Sequence, residues 1–194
     1  EGQIVNAADE IAYSTHDLDD GLRVGYIRPE MVQGLEIWRL ALERAGVTGD
    51  SLGEVARHRA IRRLIDLEVT DVITNTAVRL QQAAPQSAED VRQLRANIVD
   101  HSPRLVALNR DLKDFLFHRL YREWRVLRMA NKARRFVTML FQTYIADPRQ
   151  LPDVVREAID REGTYRAVAD HIAGMTDRYA LEEYRKLFDP MVNL

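Results

Sequence analysis

The sequence predicts an all-α fold with no sheet, and three observations carry the prediction. Apolar residues recur at alternating steps of three and four along most of the chain, the spacing of amphipathic helices. No segment sustains the period-two alternation of a half-buried strand. Helix breakers are scarce: the 194 residues hold 9 Gly and 6 Pro, below the roughly 12% that the two together usually reach. Lys and Arg number 28 against 30 Asp and Glu, a formal charge of −2. That balance removes the general electrostatic argument for a nucleic-acid or membrane-surface protein and leaves room only for local patches. A hydrophobic content of 46% suffices for a packed core in a chain of this length. The absence of cysteine excludes disulfides, thiolate zinc sites and a cysteine nucleophile, and fits a cytoplasmic location. No apolar run of about 18 residues offers a membrane span, and no signal-peptide pattern opens the chain. The first residue is Glu and a helix begins almost at once, so a fragment of a longer protein is expected.

Ile4, Ala8, Ile11, Thr15, Leu18 and Leu22 form the buried stripe of a first helix, with Gly21 and Gly25 loosening the chain at its end. Pro29 suits a first helical turn, and Met31, Leu35, Trp38, Leu42 and Ala45 continue at helical spacing to a stop at Gly46. Gly49 and Gly53 bracket a short loop. A long helix is predicted from about Leu52 to Ala84, with Ile61, Ile65, Val69, Val72, Thr76 and Leu80 on its apolar face; Pro85 ends it. Ser87 caps a short helix through Val91 and Leu94, and His101-Ser102-Pro103 marks another turn. A boundary is expected within the Pro85–Pro103 stretch. From Leu105 the pattern stays helical through Leu108, Leu112, Phe115, Leu116 and Leu120, then Val137, Leu140, Phe141, Tyr144 and Ile145. One straight helix of that length would reach about 60 Å, so a break is expected near His118–Tyr121 or Arg128–Asn131. Asp147-Pro148 stops the run. Pro152 begins the next helix and Gly163 ends it, Thr164 caps another that Gly174 closes, and Thr176 caps the last.

The first helix carries the most informative polar residues. Measured from Asp9 at 100° per residue, Tyr13 lies about 40° away, His16 about 20° to the other side and Asp17 about 80° away. A carboxylate, a phenol, an imidazole and a second carboxylate therefore share one side of the helix. Carboxylate and imidazole suit Mg, Mn, Fe or Zn, and a phenol stacks on or hydrogen-bonds a substrate ring. A plain solvated face gives the same pattern. Asp19 and Asp20 read as surface charges. His58, His101, His118 and His171 are scattered and no His-Glu-x-x-His motif occurs, whereas a catalytic metal normally needs three or more protein ligands.

A second cluster, Arg57-His58-Arg59-Ala60-Ile61-Arg62-Arg63, sets like charges three and four residues apart, where they repel unless an anion or acid lies between them. Asp66 stands ready to pair with Arg62, and planar Arg forks suit polyphosphate. A third, Lys132, Arg134 and Arg135 after Arg119, Arg122, Arg125 and Arg128, fits a solvated face, an oligomer contact or a nucleic-acid contact. No Gly-x-x-x-x-Gly-Lys loop or Gly-x-Ser-x-Gly elbow occurs, and Ser14, Ser51, Ser87 and Ser102 lack a nucleophile's context.

The segment Ala8-Asp9-Glu10-Ile11-Ala12-Tyr13, followed by His16-Asp17-Leu18-Asp19-Asp20-Gly21, resembles the bacterial dGTP triphosphohydrolases, HD-domain hydrolases of deoxynucleoside triphosphates. The segment His171-Ile172-Ala173-Gly174-Met175-Thr176-Asp177-Arg178-Tyr179-Ala180 is similar to a second signature of that family, in its phosphohydrolase-associated region. The resemblance implies that residues 1–85 are the C-terminal part of an HD domain, 86–103 a connecting segment and 104–194 a helical phosphohydrolase-associated domain. It implies a divalent metal, Mg or Mn, held by a His, a His-Asp doublet and a final Asp. Asp9 matches the final Asp. The doublet His16-Asp17 is not the family's pair, which lies upstream together with the first His and the acid–base region.

The resemblance further implies that Tyr13 contacts the deoxyribose and that Asp17 lies near the sugar 3′-hydroxyl, with His16 on their face. Arg62 and Arg63 fall near a region facing the triphosphate. The Gly174-Met175-Thr176-Asp177 turn reads as structural, with a subunit contact or pocket wall at Asp177 or Arg178 as the other reading. The implied function is the C-terminal portion of a homo-oligomeric dNTP triphosphohydrolase that releases deoxynucleoside and tripolyphosphate. No catalytic acid or base falls in this segment, and the isolated chain is expected to be inactive. Two other readings stand beside it: a non-catalytic helical interaction or regulatory module, and an HD phosphohydrolase acting on another nucleotide.

Overall fold

A computed structural model describes residues 1–47 and 52–192, and among them every regular element is helical. Gly49 and Ser51 lie outside the described residues. The chain packs as two compact units, Glu1–Glu123 and Trp124–Leu194.

The first unit contains α1 (Gly2–Val24), α2 (Pro29–Val32), α3 (Glu36–Ala45), α4 (Glu54–Ala83), α5 (Ala88–Arg92) and α6 (Pro103–Leu116), which runs on into a π-helical turn at Phe117–Tyr121. α1 buries Ile11, Ser14, Thr15, Leu18 and Gly21. The predicted stripe fails at its start: Ile4 is 59% exposed and Ala8 is also exposed. The first turn is tied down by a polar contact instead, the Gln3 side-chain oxygen accepting from the Ile98 and Val99 amides at 3.0 and 3.1 Å. Gly21 does not loosen the helix but sits inside it. A Cβ there would lie 2.5 Å from Ile27 Cδ1, so the missing side chain is what lets the returning chain pack against α1. The helix stops at Gly25, whose φ of 78° lies in the left-handed region that a Cβ disfavours.

Pro29 opens α2, but the helix expected from Met31 to Ala45 is divided around Gly34 and resumes at Glu36. α3 buries Ile37, Trp38 and Ala41. α4 buries Ala60, Ile61, Leu64, Leu67, Glu68 and Val72. Val69 and Leu80, predicted on its apolar face, are 40% and 43% exposed. The buried stripe follows the Leu64–Glu68 side, because that side meets α1 and α3. Ser87 caps α5 in a reciprocal capping box with Asp90, although Leu94 lies beyond the helix. Ser102 caps α6, with Pro103 at its first position. Leu105, Leu108, Leu112, Leu116 and Leu120 then run into the core that Leu18, Trp38 and Leu64 also build. The first packing unit therefore continues to Glu123, because the α6 leucines complete its core. Of the two places offered for a helix break, the π-helical turn takes the first; Arg128–Asn131 is regular helix.

The second unit contains α7 (Trp124–Ala146), a 3₁₀ turn at Pro148–Gln150, α8 (Asp153–Glu162), α9 (Thr164–Ala173) and α10 (Asp177–Phe188). Its core gathers Leu140, Tyr144, Leu151, Val168 and Ala180. Thr164 is the first residue of α9 rather than its cap; Gly163 holds the cap position with φ 84°. Thr176 caps α10 as expected, accepting from the Tyr179 amide at 3.3 Å. Among the described residues no helix is long and apolar enough to cross a membrane.

Candidate functional site

Because α1 is unbroken from Gly2 to Val24, Asp9, Tyr13 and Asp17 follow one another at one-turn intervals along one side, with His16 beside them. Asp9 and His16 are exposed, Tyr13 is 58% exposed and Asp17 is half-buried. The π-helical turn after α6 brings Tyr121 over this row. Its hydroxyl donates to Asp17 Oδ2, and its ring lies 6.1 Å from that of Tyr13 with the planes tilted by 38°. Burial, and then the Asp17 carboxylate, push the Tyr121 phenol above its usual range, so it keeps its proton and stays a donor. A cleft of about 310 Å³ opens here, lined by Tyr13, Ser14, Lys113, Phe117 and Tyr121 among others. Lys113 forms an ion pair with Glu10 across the α1–α6 seam, and burial lowers its pKa.

Arg57 and Asp19 join α4 to α1: Arg57 Nε donates to Asp19 Oδ1 at 2.8 Å, with only 11% and 18% of the two side chains exposed. Asp19 is thus a docking residue and not the surface charge it resembles in sequence, whereas Asp20 pairs at the surface with Arg23. Arg62 and Arg63 are exposed on α4. Asp66 meets Arg63, at 3.6 Å, rather than Arg62. With Arg59 and Ala45 the two arginines line an open cleft of about 480 Å³. None of its lining residues is among those that line the Tyr13–Tyr121 cleft.

Asp71, His101 and Ser102 have the residue types of a nucleophilic triad. The Ser102 hydroxyl, however, donates to Asp71 at 2.7 Å and its oxygen accepts from the Leu105 amide as the cap of α6. The hydroxyl is thereby committed to fixing that helix start, with His101 Nδ1 3.2 Å from the same carboxylate. In the second unit Arg128, Lys132, Arg135 and Arg185 rim a cleft of about 670 Å³, where Phe136 and Tyr184 stand 6.0 Å apart. Among the described residues no three His, Asp or Glu side chains converge as a metal site. Asp9 offers one carboxylate, and the residues present do not by themselves fit a metal centre.

Tyr121 as the partner of Asp17 is beyond a local reading, because 104 residues separate them. The only signal was a tyrosine at a predicted helix break.

Comparison with known proteins defines the class first. Residues 99–186 match the family described as the phosphohydrolase-associated domain. The relatives then narrow it. The chain is 43% identical over 191 residues to a deoxyguanosinetriphosphate triphosphohydrolase-like protein of Geobacter sulfurreducens, covering 98% of the chain and 50% of the relative. It is 42% identical over 190 residues to a protein of the same description from Bordetella pertussis, covering 97% and 49%. It is 41% identical over 193 residues to deoxyguanosinetriphosphate triphosphohydrolase-like protein 1 of Mesorhizobium japonicum, covering 97% and 48%. The chain belongs to this deoxyguanosinetriphosphate triphosphohydrolase-like family, and it spans about half the length of the curated relatives it matches, in their C-terminal part.

Proposed function

We propose that the chain is the C-terminal portion of a metal-dependent dNTP triphosphohydrolase, with residues 1–85 closing an HD domain and 104–194 forming the associated helical domain. Asp9 gives one ligand to a divalent metal, Mg or Mn, whose other ligands come from sequence outside this chain. Tyr13 and Asp17 hold the deoxyribose, with His16 at its edge, and Arg62 or Arg63 offsets triphosphate charge. The observation that carries this reading is the α1 row: a carboxylate left open at Asp9, one turn from a phenol and two from a second carboxylate, beside a cleft. A carboxylate held against a sugar hydroxyl selects strongly for substrates able to form that bond, because without it a polar group is left unpaired.

The test uses both the isolated chain and the whole protein. The isolated chain is expected to show no turnover of dGTP with Mg²⁺ or Mn²⁺, and robust turnover refutes the reading. In the whole protein Asp9→Ala is expected to abolish hydrolysis and reduce bound metal while the far-ultraviolet circular dichroism stays unchanged. Wild-type rate and metal content in that variant overturn the assignment.

A further inference from the structure

We propose that the cleft between α7 and α10 seats α8 of a second copy of the chain, with Arg128, Lys132 and Arg135 facing Asp153, Glu157 and Asp160 of that copy. α7 carries five cations between Arg125 and Arg135 and no acid along its length. Arg128, Lys132 and Arg135 follow at steps of four and three, so they share about 60° of the helix circumference over about 10 Å. At that spacing like charges repel unless anions lie between them. Arg185 of α10 adds a fourth cation to the rim, and none of the four pairs with an acid among the described residues. Met129, Met139 and Leu181 leave apolar surface exposed beside them. A groove with an apolar floor and a cationic rim fits an acidic helix laid along it.

α8 has the complementary pattern. Asp153, Glu157 and Asp160 are exposed and stand at the same steps of four and three. The two stripes therefore match residue for residue when the helices run parallel. Within one copy α8 packs on α9, and its acids line no part of the cleft. Asp153 meets Arg156 of its own helix, whereas Glu157 and Asp160 have no cation among the described residues. Val154 adjoins the stripe and is 76% exposed, an apolar contact for the methionines of the floor. The aromatic rings favour a helix over a nucleic-acid strand. Phe136 and Tyr184 lean on each other at 6.0 Å, and Tyr184 on Phe188 at 4.8 Å, so neither ring stands free for a base to stack on. No residue of α1 takes part, so the contact is independent of the triphosphohydrolase reading.

The experiment mixes ordinary and heavy-nitrogen-labelled whole protein and adds a carbodiimide, which couples a lysine amine directly to a carboxylate. A Lys132–Glu157 link between one light and one heavy peptide is expected, and its yield should fall with added sodium chloride as the charges are screened. Arg135→Glu alone and Asp160→Arg alone should each cut that yield about tenfold, because an exposed attraction becomes a repulsion. The double variant, with the two charges exchanged, should restore it. Arg134→Glu, which lies off the stripe, should leave it unchanged. Restoration also shows that neither substitution acts by unfolding the chain. If no mixed-isotope link forms, or the single variants leave it unchanged, or the double variant stays low, the contact is wrong. Binding of an oligothymidylate that Arg135→Glu abolishes, with no mixed-isotope link, overturns it as well and gives the cleft to nucleic acid.

Discussion

At Glu68 a carboxyl is sealed inside the first unit, 1% exposed, with Oε2 lacking any hydrogen-bond partner. Burial pushes its pKa from 4.5 up to about 8, and Asn109 beside it offsets part of the rise. Above its unfolded pKa the chain must take up a proton to fold. The stability that Glu68 contributes is therefore complete below about pH 4.5 and is lost as the pH climbs toward 8. The slope is on the order of 1.4 kcal/mol per pH unit within that window. Glu68→Gln, neutral at every pH, is expected to flatten this part of the profile. Urea denaturation at pH 5 and pH 8 checks it: the variant should gain on the wild type at the higher pH, and an equal difference at both removes the assignment. Glu68 lies one turn from Leu64 and two from Ile61, so it shares their side of α4, and the helices packed against that side seal it in.

Among the elements, α1 shows best what helical periodicity conveys. The period placed Ile11, Thr15 and Leu18 inside, and they are buried. It placed Ile4 inside too, because a repeat does not record where the neighbouring helices end. Gly21 was misread for a related reason: a glycine in sequence signals freedom, whereas here it signals a close approach by a residue that comes after the turn. Gly21→Ala gains about 1 kcal/mol of helix propensity against about 1–3 kcal/mol for forcing a methyl into a packed core. Ile27 is fully buried and its end has little room to swing. A net loss of about 1 kcal/mol is expected. Gly34→Ala, where a Cβ meets nothing within 4 Å, is expected to raise stability by about 0.4–1 kcal/mol through the unfolded chain. Thermal unfolding of the two variants should shift in opposite directions. The caps at Ser87 and Thr176 were legible because capping is local chemistry, read within one turn.

For the whole molecule, the family segment and the packing units do not share a boundary. The segment covers residues 99–186, whereas the first unit extends to Glu123. A protein cut to begin at residue 99 would carry Leu105, Leu108 and Leu112 without Leu18, Trp38 and Leu64, which complete their core. Each buried leucine exposed in this way forfeits about 1.5–3 kcal/mol. A fragment beginning at residue 124 keeps the Leu140–Tyr144–Val168 core entire. The longer fragment is therefore expected to self-associate and to bind an apolar dye more strongly than the shorter; equal behaviour on gel filtration and dye titration would count against the two-core division. The candidate site was legible to the extent that it is local. Asp9, Tyr13, His16 and Asp17 lie on one helix and follow from its pitch. Tyr121 and Lys113 reach the same place from another helix, and no one-dimensional pattern joins them. Arg62 and Arg63 were legible as a local cluster on α4, where with Arg59 they line one open cleft.

The placement of the chain's two tryptophans gives the molecule a built-in optical assay. Trp38 is 1% exposed in the first core, whereas Trp124, at the start of the second unit, is 58% exposed. One indole emits from an apolar environment and the other from water, so a collisional quencher reaches only the second. Blue-shifted emission thus reports on the first core without any added label, and its loss marks the melting of the core that Trp38 shares with α1, the helix that carries Asp9, Tyr13 and Asp17.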